Sequence, residues 1–399
     1  MKKVIIFSHA MEIGGAEKAL LGLLETIDTT KYQVDLFLMR HQGELLKEIP
    51  ENINLLPEIS EYTDLAVPIT KVLKKGHFRI AYARLRAKRA AQKRVLELGL
   101  AKNDIAHEYS QKYTLKYMPL ISKTEYDLAI SFLTPHYFVI EKVNAKKKIA
   151  WIHTDYSAVS VDIQSQISMW DCYNTIVSIS DRAAEAFISV FPKLRNKVRV
   201  IQNILPVEYI SRITNEIDVT QEMRKDGIIT ILSIGRFGEA KNFESIPEIC
   251  SSLLKLGLNV YWYLIGYGSG ELLIRNKIKE FNMKDHVIVL GKKENPYPYI
   301  KACDLYVQPS RFEGRCVSVT EAQLMGKPVI ITDYPTSKSQ LEDGVDGIIV
   351  PLDNRGCAQG IADTLNNPEL MKRLSEECKK RDYSNKNEIN KLYSLIDCM

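Results

Sequence analysis

Glu313 and Glu321 stand eight positions apart in the stretch "RFEGRCVSVTEA" (311–322), between the apolar run "DLYVQPS" and "LMGKPVIITD". A helix opening near Arg315 would put Glu313 in the loop at its mouth and Glu321 two turns inside. A carboxylate on a buried helix face is costly unless it is paired or hydrogen-bonded, so both acids should be holding something. Upstream, Arg236 and Lys241 follow the apolar run "ITILSIG", and "GYGSGE" brings Gly266, Gly268 and Gly270 after "YWYLI". Gly291 ends "HVIVLG", and Gly314 follows Glu313 directly. Cations beside a helix N-terminus form an anion site, because free amides and the helix dipole favour negative charge there. Arg and Lys together can clamp a diphosphate without a metal ion. The plainer alternative for Arg236 and Lys241 is a surface ion pair with Glu239 or Glu244.

These residues fall at the ends of strands. Strand and helix signals alternate along most of the chain, which predicts an α/β fold with parallel sheets. "KKVIIFS", "YQVDLFLM" and "INLLP" read as strands, with "GGAEKALLGLLETI" a helix between the first two. Residues 60–120 are helical and charged, and read as an insertion. "YDLAISFL", "KKKIAWIH", "NTIVSIS" and "KVRVIQN" resume the strands, and "DRAAEAFISVF" is a helix capped by Ser180 or Asp181. The pattern lapses over 207–226, then a second series of strands and helices runs from "GIITILSIGR" to about residue 380. Two doubly wound domains follow, 1–206 and 207–382. Open parallel sheets bind ligands outside the carboxyl ends of their strands, so a ligand is expected in a cleft between the two.

The 399 residues exceed one ordinary core, and 45% hydrophobic with 26% charged residues is a globular composition. No apolar run is long enough to span a bilayer. The N-terminal "MKKVIIFSHAMEIGG" reads as a first strand and not as an export signal. Seven cysteines without a C-x-x-C pair suit a reducing compartment, with thiols as small core residues. The seven histidines lack metal-ligand spacing, so no metal site is expected. Between Asp64 and Glu97 there is no acid, while Lys71, Lys74, Lys75, Arg79, Arg84, Arg86, Lys88, Arg89, Lys93 and Arg94 are interleaved with apolar residues. Residues 71–94 are either a solvated helical face or a basic amphipathic segment resting on an anionic membrane. No nucleic-acid reader motif accompanies them.

Eight residues of helix span about 12 Å at roughly 1.5 Å each. That matches the distance from the sugar to the ribose of one nucleotide diphosphate sugar, with phosphates against Arg315, Cys316, Val317 and Ser318. Here the sequence resembles a known family. "EGRCVSVTEAQLMGKPVI" is similar to the E-x7-E signature of the retaining glycosyltransferases of the GT-B fold, glycosyltransferase family 4 (glycosyl transferases group 1). "SIGRFGEAKN" resembles that family's phosphate-binding stretch, "LIGYGSGELL" its glycine turn and "GGAEKAL" its N-terminal glycine loop. "IQNILP" is similar to its hinge, and "SQLEDGVDGIIVP" to its late loop and strand. These motifs span residues 4 to about 365, and the insertion at 60–120 has no counterpart.

The resemblance implies two Rossmann-like domains, with a C-terminal helix in 383–399 packed back on the N-terminal domain. It implies that Glu313 contacts the donor sugar, Glu321 the ribose, and Arg236 and Lys241 the diphosphate. Gly14 and Gly15 would let the N-terminal loop approach the same phosphates. His153, ending "KKIAWIH", matches a histidine near sugar and acceptor; alternatively it is a strand-end histidine bonded to the backbone. Arg315 and Cys316 depart from the family pattern, where an apolar residue and a glycine or proline are commoner, which bears on donor identity.

The implied activity is metal-independent, cofactor-free sugar transfer with retention, from a nucleotide sugar (UDP-linked before GDP or ADP) to a glycan or lipid-linked acceptor. Surface polysaccharide synthesis, by a cytoplasmic enzyme peripheral on the inner face of the membrane, would use such a protein. Glu313 would position the donor and not attack it, unlike the nucleophile of retaining glycosidases. Rival readings are a non-catalytic partner of another transferase and a nucleotide-sugar epimerase of the same fold.

Overall fold

Runs of Val, Ile and Leu bounded by polar turns fold into strands buried on both faces, as parallel sheets require. The computed structural model describes residues 1–100, 105–134, 136–154, 156–157, 159–223 and 227–397. The chain divides into two compact units, 1–206 with 385–399, and 207–384.

In the first unit the strands are β1 (Lys2–Ser8), β2 (Tyr32–Leu38), β3 (Asn54–Leu55), β4 (Glu125–Ser131), β5 (Asn144–Ile152), β6 (Thr175–Ser178) and β7 (Val198–Val200). They form one parallel sheet in the order β3-β2-β1-β4-β5-β6-β7. Val4 of β1 lies opposite both Val34 and Leu128, which fixes the register at the centre. One face packs through aromatic rings, Phe7 on Phe37 at 5.9 Å and Tyr62 on Phe138 at 5.1 Å between centroids. The helix Asp181–Val190 is capped by Ser180, whose hydroxyl accepts from the Ala183 amide. The helix Ile389–Asp397 belongs to this unit. Tyr393 stacks on Tyr32 at 4.9 Å, and Lys2 reaches Asp397 at 3.0 Å.

The 60–120 segment is helical, with its longest helix at Phe78–Leu98. That helix packs closely because its buried face is small: Ala81, Ala83, Ala87 and Ala91, with Ile80. The sequence treats its cations alike; the structure separates them. Lys75 pairs with the buried Asp64 at 2.9 Å. Arg84 donates to the carbonyls of Asp64 and Val67, and Arg94 pairs with Asp162 at 2.8 Å. Lys75 and Arg84 thus tie the insertion together internally, and Arg94 fastens it to its unit. Lys74, Arg79, Arg86, Lys88, Arg89 and Lys93 stay exposed, as do Phe78, Tyr82 and Leu85.

The second unit carries β8 (Ile229–Ile234), β9 (Val260–Ile265), β10 (Val287–Gly291), β11 (Leu305–Gln308), β12 (Val329–Thr332) and β13 (Ile348–Val350), in the order β10-β9-β8-β11-β12-β13. Renumbered from β8, this is the 3-2-1-4-5-6 order of dinucleotide-binding folds. Trp262 is fully buried, and its indole N–H donates to Ser233, whose hydroxyl donates to the Val307 carbonyl. The polar stretch after 206 is not without structure: Val207–Ile213 is a helix. It buries Tyr209, Ile210 and Ile213, an i, i+1, i+4 face too short to register as a period. Among the described residues no helix is long and apolar enough to cross a membrane. Of the described cysteines Cys172 is exposed, and Cys250, Cys303, Cys316, Cys357 and Cys378 are buried free thiols.

Candidate active site

Strand order reverses between β8 and β11, so the loops leaving these neighbouring strands diverge and leave a crevice at their carboxyl ends. The loop after β8 carries Arg236 and Lys241; the loop after β11 carries Glu313. Lys241 Nζ meets Glu313 Oε1 at 2.6 Å, and that oxygen also accepts from Ser310 Oγ at 2.6 Å. Thr336 Oγ1 donates to the Glu313 carbonyl at 2.8 Å. Burial opposes charge on Lys241, but Cys316 and Glu313 beside it outweigh burial and hold the ammonium above its usual range. Cys316 is itself buried, which raises its thiol pKa despite nearby Lys241. The carboxylate is therefore the ionic partner of Lys241.

Neither expected surface pair forms. Glu244 instead accepts from Arg311 at 2.6 Å. Arg236 is exposed and has no hydrogen bond or ion pair among the described residues. The loop after β8 thus carries a guanidinium without a partner among the described residues and an ammonium paired with Glu313, a setting able to receive an anion.

The glycine turn has a different local cause from the one expected. Gly266 and Gly268 have φ of +156° and +149°, and a Cβ on them would stand 1.9 Å from Gly235 O and 2.5 Å from Phe237 O. These glycines let the β9 loop lie against the β8 loop. Phe237 N donates to Tyr267 O at 2.8 Å, Gly270 N to Phe237 O at 3.0 Å, and Gly266 N to Gly291 O at 2.9 Å. Three strand-end loops are thereby locked together around Arg236. Gly291 and Gly314 have open space where a Cβ would stand.

The helix after Glu313 runs Val317–Leu324, two residues later than expected, with Cys316 at its N-cap. Cys316 N donates to Gln340 Oε1 at 2.7 Å, which pins the chain extended and delays the first turn. Because part of 313–321 is not helical, the 12 Å spacing estimated from helix rise does not apply. Glu321 is only 4% exposed and accepts from Tyr297 OH at 2.7 Å. Gly314, Arg315 and Val317 are exposed at the mouth of this helix, and Cys316 is buried.

The remaining expected residues lie in the first unit. Gly14 caps the helix Gly15–Thr26. His153 follows β5 with its ring against Phe132 at 4.6 Å; burial depresses its pKa to about 4. Its Nε2 is buried without a partner among the described residues, so the expected backbone bond is not made there. Sequence reading passed over Ser310, Gln340 and Tyr297, whose roles arise only from contacts across loops. It also passed over His9, although a histidine at the carboxyl end of the first strand is a positional signal. Among the described residues no group of three or more His, Cys, Asp or Glu could hold a metal ion.

Residues 215–381 match the family described as "Glycosyl transferases group 1". Over 384 residues the chain is 25% identical to a Campylobacter jejuni protein, covering 96% of this chain and 95% of that one. That relative is named N-acetylgalactosamine-N,N'-diacetylbacillosaminyl-diphospho-undecaprenol 4-alpha-N-acetylgalactosaminyltransferase. Among solved structures, TarM of S. aureus superposes with a TM-score of 0.66 at 14% identity, covering 100% of this chain and 99% of that one. The Anabaena protein HepE, solved with UDP and glucose, superposes with a TM-score of 0.64 at 14% identity over all of both chains. The two Rossmann-like units are those of the GT-B fold. The chain is a glycosyltransferase.

Proposed function

We propose that the chain moves a sugar from a nucleotide diphosphate sugar, UDP-linked, to a lipid-linked or glycan acceptor in surface polysaccharide synthesis, with retention and without a metal ion. The single observation that carries this reading is the pair of cations at the β8–β11 reversal, Arg236 unpartnered among the described residues and Lys241 held by Glu313. The likeness to HepE, solved with UDP, supports the nucleotide. The C. jejuni relative, whose name specifies a diphospho-undecaprenol acceptor, supports the lipid carrier.

In this reading the donor diphosphate displaces part of the Lys241–Glu313 contact and gains Arg236. As the bond from the anomeric carbon to the diphosphate breaks, both cations offset the charge growing on the leaving oxygen. An acceptor hydroxyl attacks from the same face, its proton passes to the departing diphosphate, and UDP leaves. Glu313, freed from the ammonium, accepts from donor-sugar hydroxyls. Glu321, already fixed by Tyr297, is left the ribose. The exposed cations and rings of Phe78–Leu98 rest on the anionic membrane that holds the acceptor.

The test is a panel of UDP, GDP and ADP sugars scored by thermal stabilisation of the full chain, followed by transfer to a polyprenyl-diphosphate-linked sugar. A tight donor raises apparent stability by mass action. Stabilisation by none of them, or by each equally in Arg236→Ala and the parent, ends this reading.

A further inference from the structure

Strand β11 lies between β8 and β12, and all four of its residues are buried. Strands so placed are ordinarily apolar on both faces. In β11 only one face obeys. Leu305 and Val307 enter the apolar core, whereas Tyr306 and Gln308 alternate with them, and Ser310 continues the polar face past Pro309. All three are 0% exposed. A buried amide and two buried hydroxyls are costly there unless each is hydrogen-bonded.

The three form one relay, and its direction is set at its first atom. The Ile234 amide, at the end of β8, can only donate, and it donates to Tyr306 OH at 3.3 Å. Tyr306 has one proton to give. Gln308 Oε1 takes it at 3.0 Å, closer than the Ile234 carbonyl at 3.4 Å, which also accepts from Ser318 Oγ at 3.2 Å. With its oxygen so engaged, Gln308 turns Nε2 toward Ser310 and donates to the hydroxyl at 3.0 Å. Ser310 then spends its own proton on Glu313 Oε1 at 2.6 Å. The Ser310 carbonyl accepts from Thr332 Oγ1 at 2.5 Å, which anchors that end of the relay on β12.

We infer that Gln308 is a positioning residue for sugar transfer: acting through Ser310, it keeps the Glu313 carboxylate turned toward the donor sugar. Glu313 Oε1 has donors on two different loops, Ser310 Oγ and Lys241 Nζ. As Lys241 turns to the arriving diphosphate, the Ser310 bond is the one that persists. Without the Gln308 amide, Ser310 could rotate and offer the carboxylate a lone pair. A misplacement of about 1 Å at such a group can cost on the order of 10²-fold in rate.

The inference rests on the transferase reading, and the experiment separates the two. UDP and the UDP derivatives of glucose, galactose and their N-acetylated forms are titrated calorimetrically into the full chain. Hydrolysis of the same UDP sugars without acceptor, in which water takes the place of the acceptor hydroxyl and UDP is released, reports turnover. Gln308→Leu is expected to weaken the bound UDP sugar about tenfold, slow its hydrolysis about 10–100-fold and change UDP affinity less than about twofold. Ser310→Ala cuts the same relay with a smaller gap and should give the same split. The double variant should be no slower than the slower single one, because both cut one path. UDP-sugar affinity unchanged in Ser310→Ala, equal losses for UDP and UDP sugar, or losses that multiply in the double variant overturn the inference alone. A parent chain that binds no UDP sugar overturns the transferase reading, and this inference falls with it. Should Gln308→Leu fail to fold, Ser310→Ala decides the outcome by the same split between UDP and UDP sugar.

Discussion

The molecule contains the same topological event twice, once between β1 and β4 and once between β8 and β11, and the two places are built from opposite materials. At β8–β11 the loops end in charge, with Arg236 exposed and the Lys241–Glu313 pair at 2.6 Å. At β1–β4 the lining of the cavity there is mostly uncharged, His9 and Gln111 among it, with the Glu108 carboxylate satisfied by three protein donors and Arg40 held by Gln42 and Glu12. A charged crevice suits a diphosphate, whose affinity comes from countercharge. A neutral one suits hydroxyls and amides, where recognition comes from leaving no buried group unpaired.

The sharpest way to break that contrast is Arg236→Ala. If countercharge carries the chemistry in the second unit, kcat/KM for the donor should fall by about 10²–10³, the usual loss for one preorganised charge-stabilising donor. Steady-state kinetics at saturating acceptor measures this. A fall of less than tenfold would mean that both crevices work by neutral recognition. Lys241→Ala is less clean, because it also strands Glu313.

Acid should separate the units next. Burial depresses the pKa of His9 and His153 to about 4, and that of His136 well below its ordinary value. His107 and Arg40 lower the His9 pKa further, and His9 and His153 that of His136, so their neighbours add to burial in opposing protonation. A group whose folded pKa is depressed gives stability that is complete above its unfolded pKa of about 6.5 and drains away as pH falls toward 4. At pH 5, His9 and His153 each withdraw on the order of 2 kcal/mol. Hydrogen exchange read by peptide should therefore show residues 1–206 opening before 207–384 between pH 6.5 and 4.5. Simultaneous opening contradicts it.

Glu108→Ala is the smaller structural counterpart. It leaves the buried donors of Tyr137, Ser165 and Gln166 without their acceptor, at a cost on the order of 2–3 kcal/mol. Thermal unfolding should show a first-unit transition several degrees lower, with UDP affinity unchanged. A matching loss of UDP affinity would show that the two crevices are not independent.

How far each crevice was legible follows from the same difference. Charged residues at strand ends stand out in a sequence because nothing in a parallel core calls for them, so Arg236, Lys241 and Glu313 could be found by position. The α/β alternation was equally plain, since doubly buried strands leave near-continuous apolar runs. The start of the Val317–Leu324 helix was misplaced because Gln340, 24 residues away, holds the Cys316 amide. The first-unit cavity was invisible because its polar groups come from an insertion helix, Ala106–Thr114, whose charge pattern looks like an ordinary surface. Glu108 there resembles a solvated acid until tertiary packing buries it. Which cations of the run are spent on protein partners was hidden for a related reason: Asp64 and Asp162 lie outside it in sequence but beside it in space.

The contrast extends to how each ligand arrives, and it is here that the smallest effect is expected. A nucleotide sugar diffuses to a charged loop, whereas a lipid-borne acceptor must be met at a surface. Phe78, Tyr82 and Leu85 are 66%, 57% and 44% exposed on a helix that also exposes Arg79, Arg86, Lys88, Arg89 and Lys93. Cations near an anionic surface contribute about 1 kcal/mol each, screened by salt, and the rings add burial in the headgroup region. Replacing Arg86 and Arg89 with Gln should weaken binding to vesicles containing anionic lipid about five- to tenfold at 0.15 M salt. Lys75, Arg84 and Arg94 are spent on protein partners, so Arg94→Gln should lower thermal stability and leave vesicle affinity alone. Sedimentation with vesicles of graded anionic content distinguishes the two groups. If both variants lose vesicle binding equally, the helix is not divided into fasteners and free cations. Binding of the parent chain that ignores anionic content would instead leave the exposed charges as an ordinary solvated face.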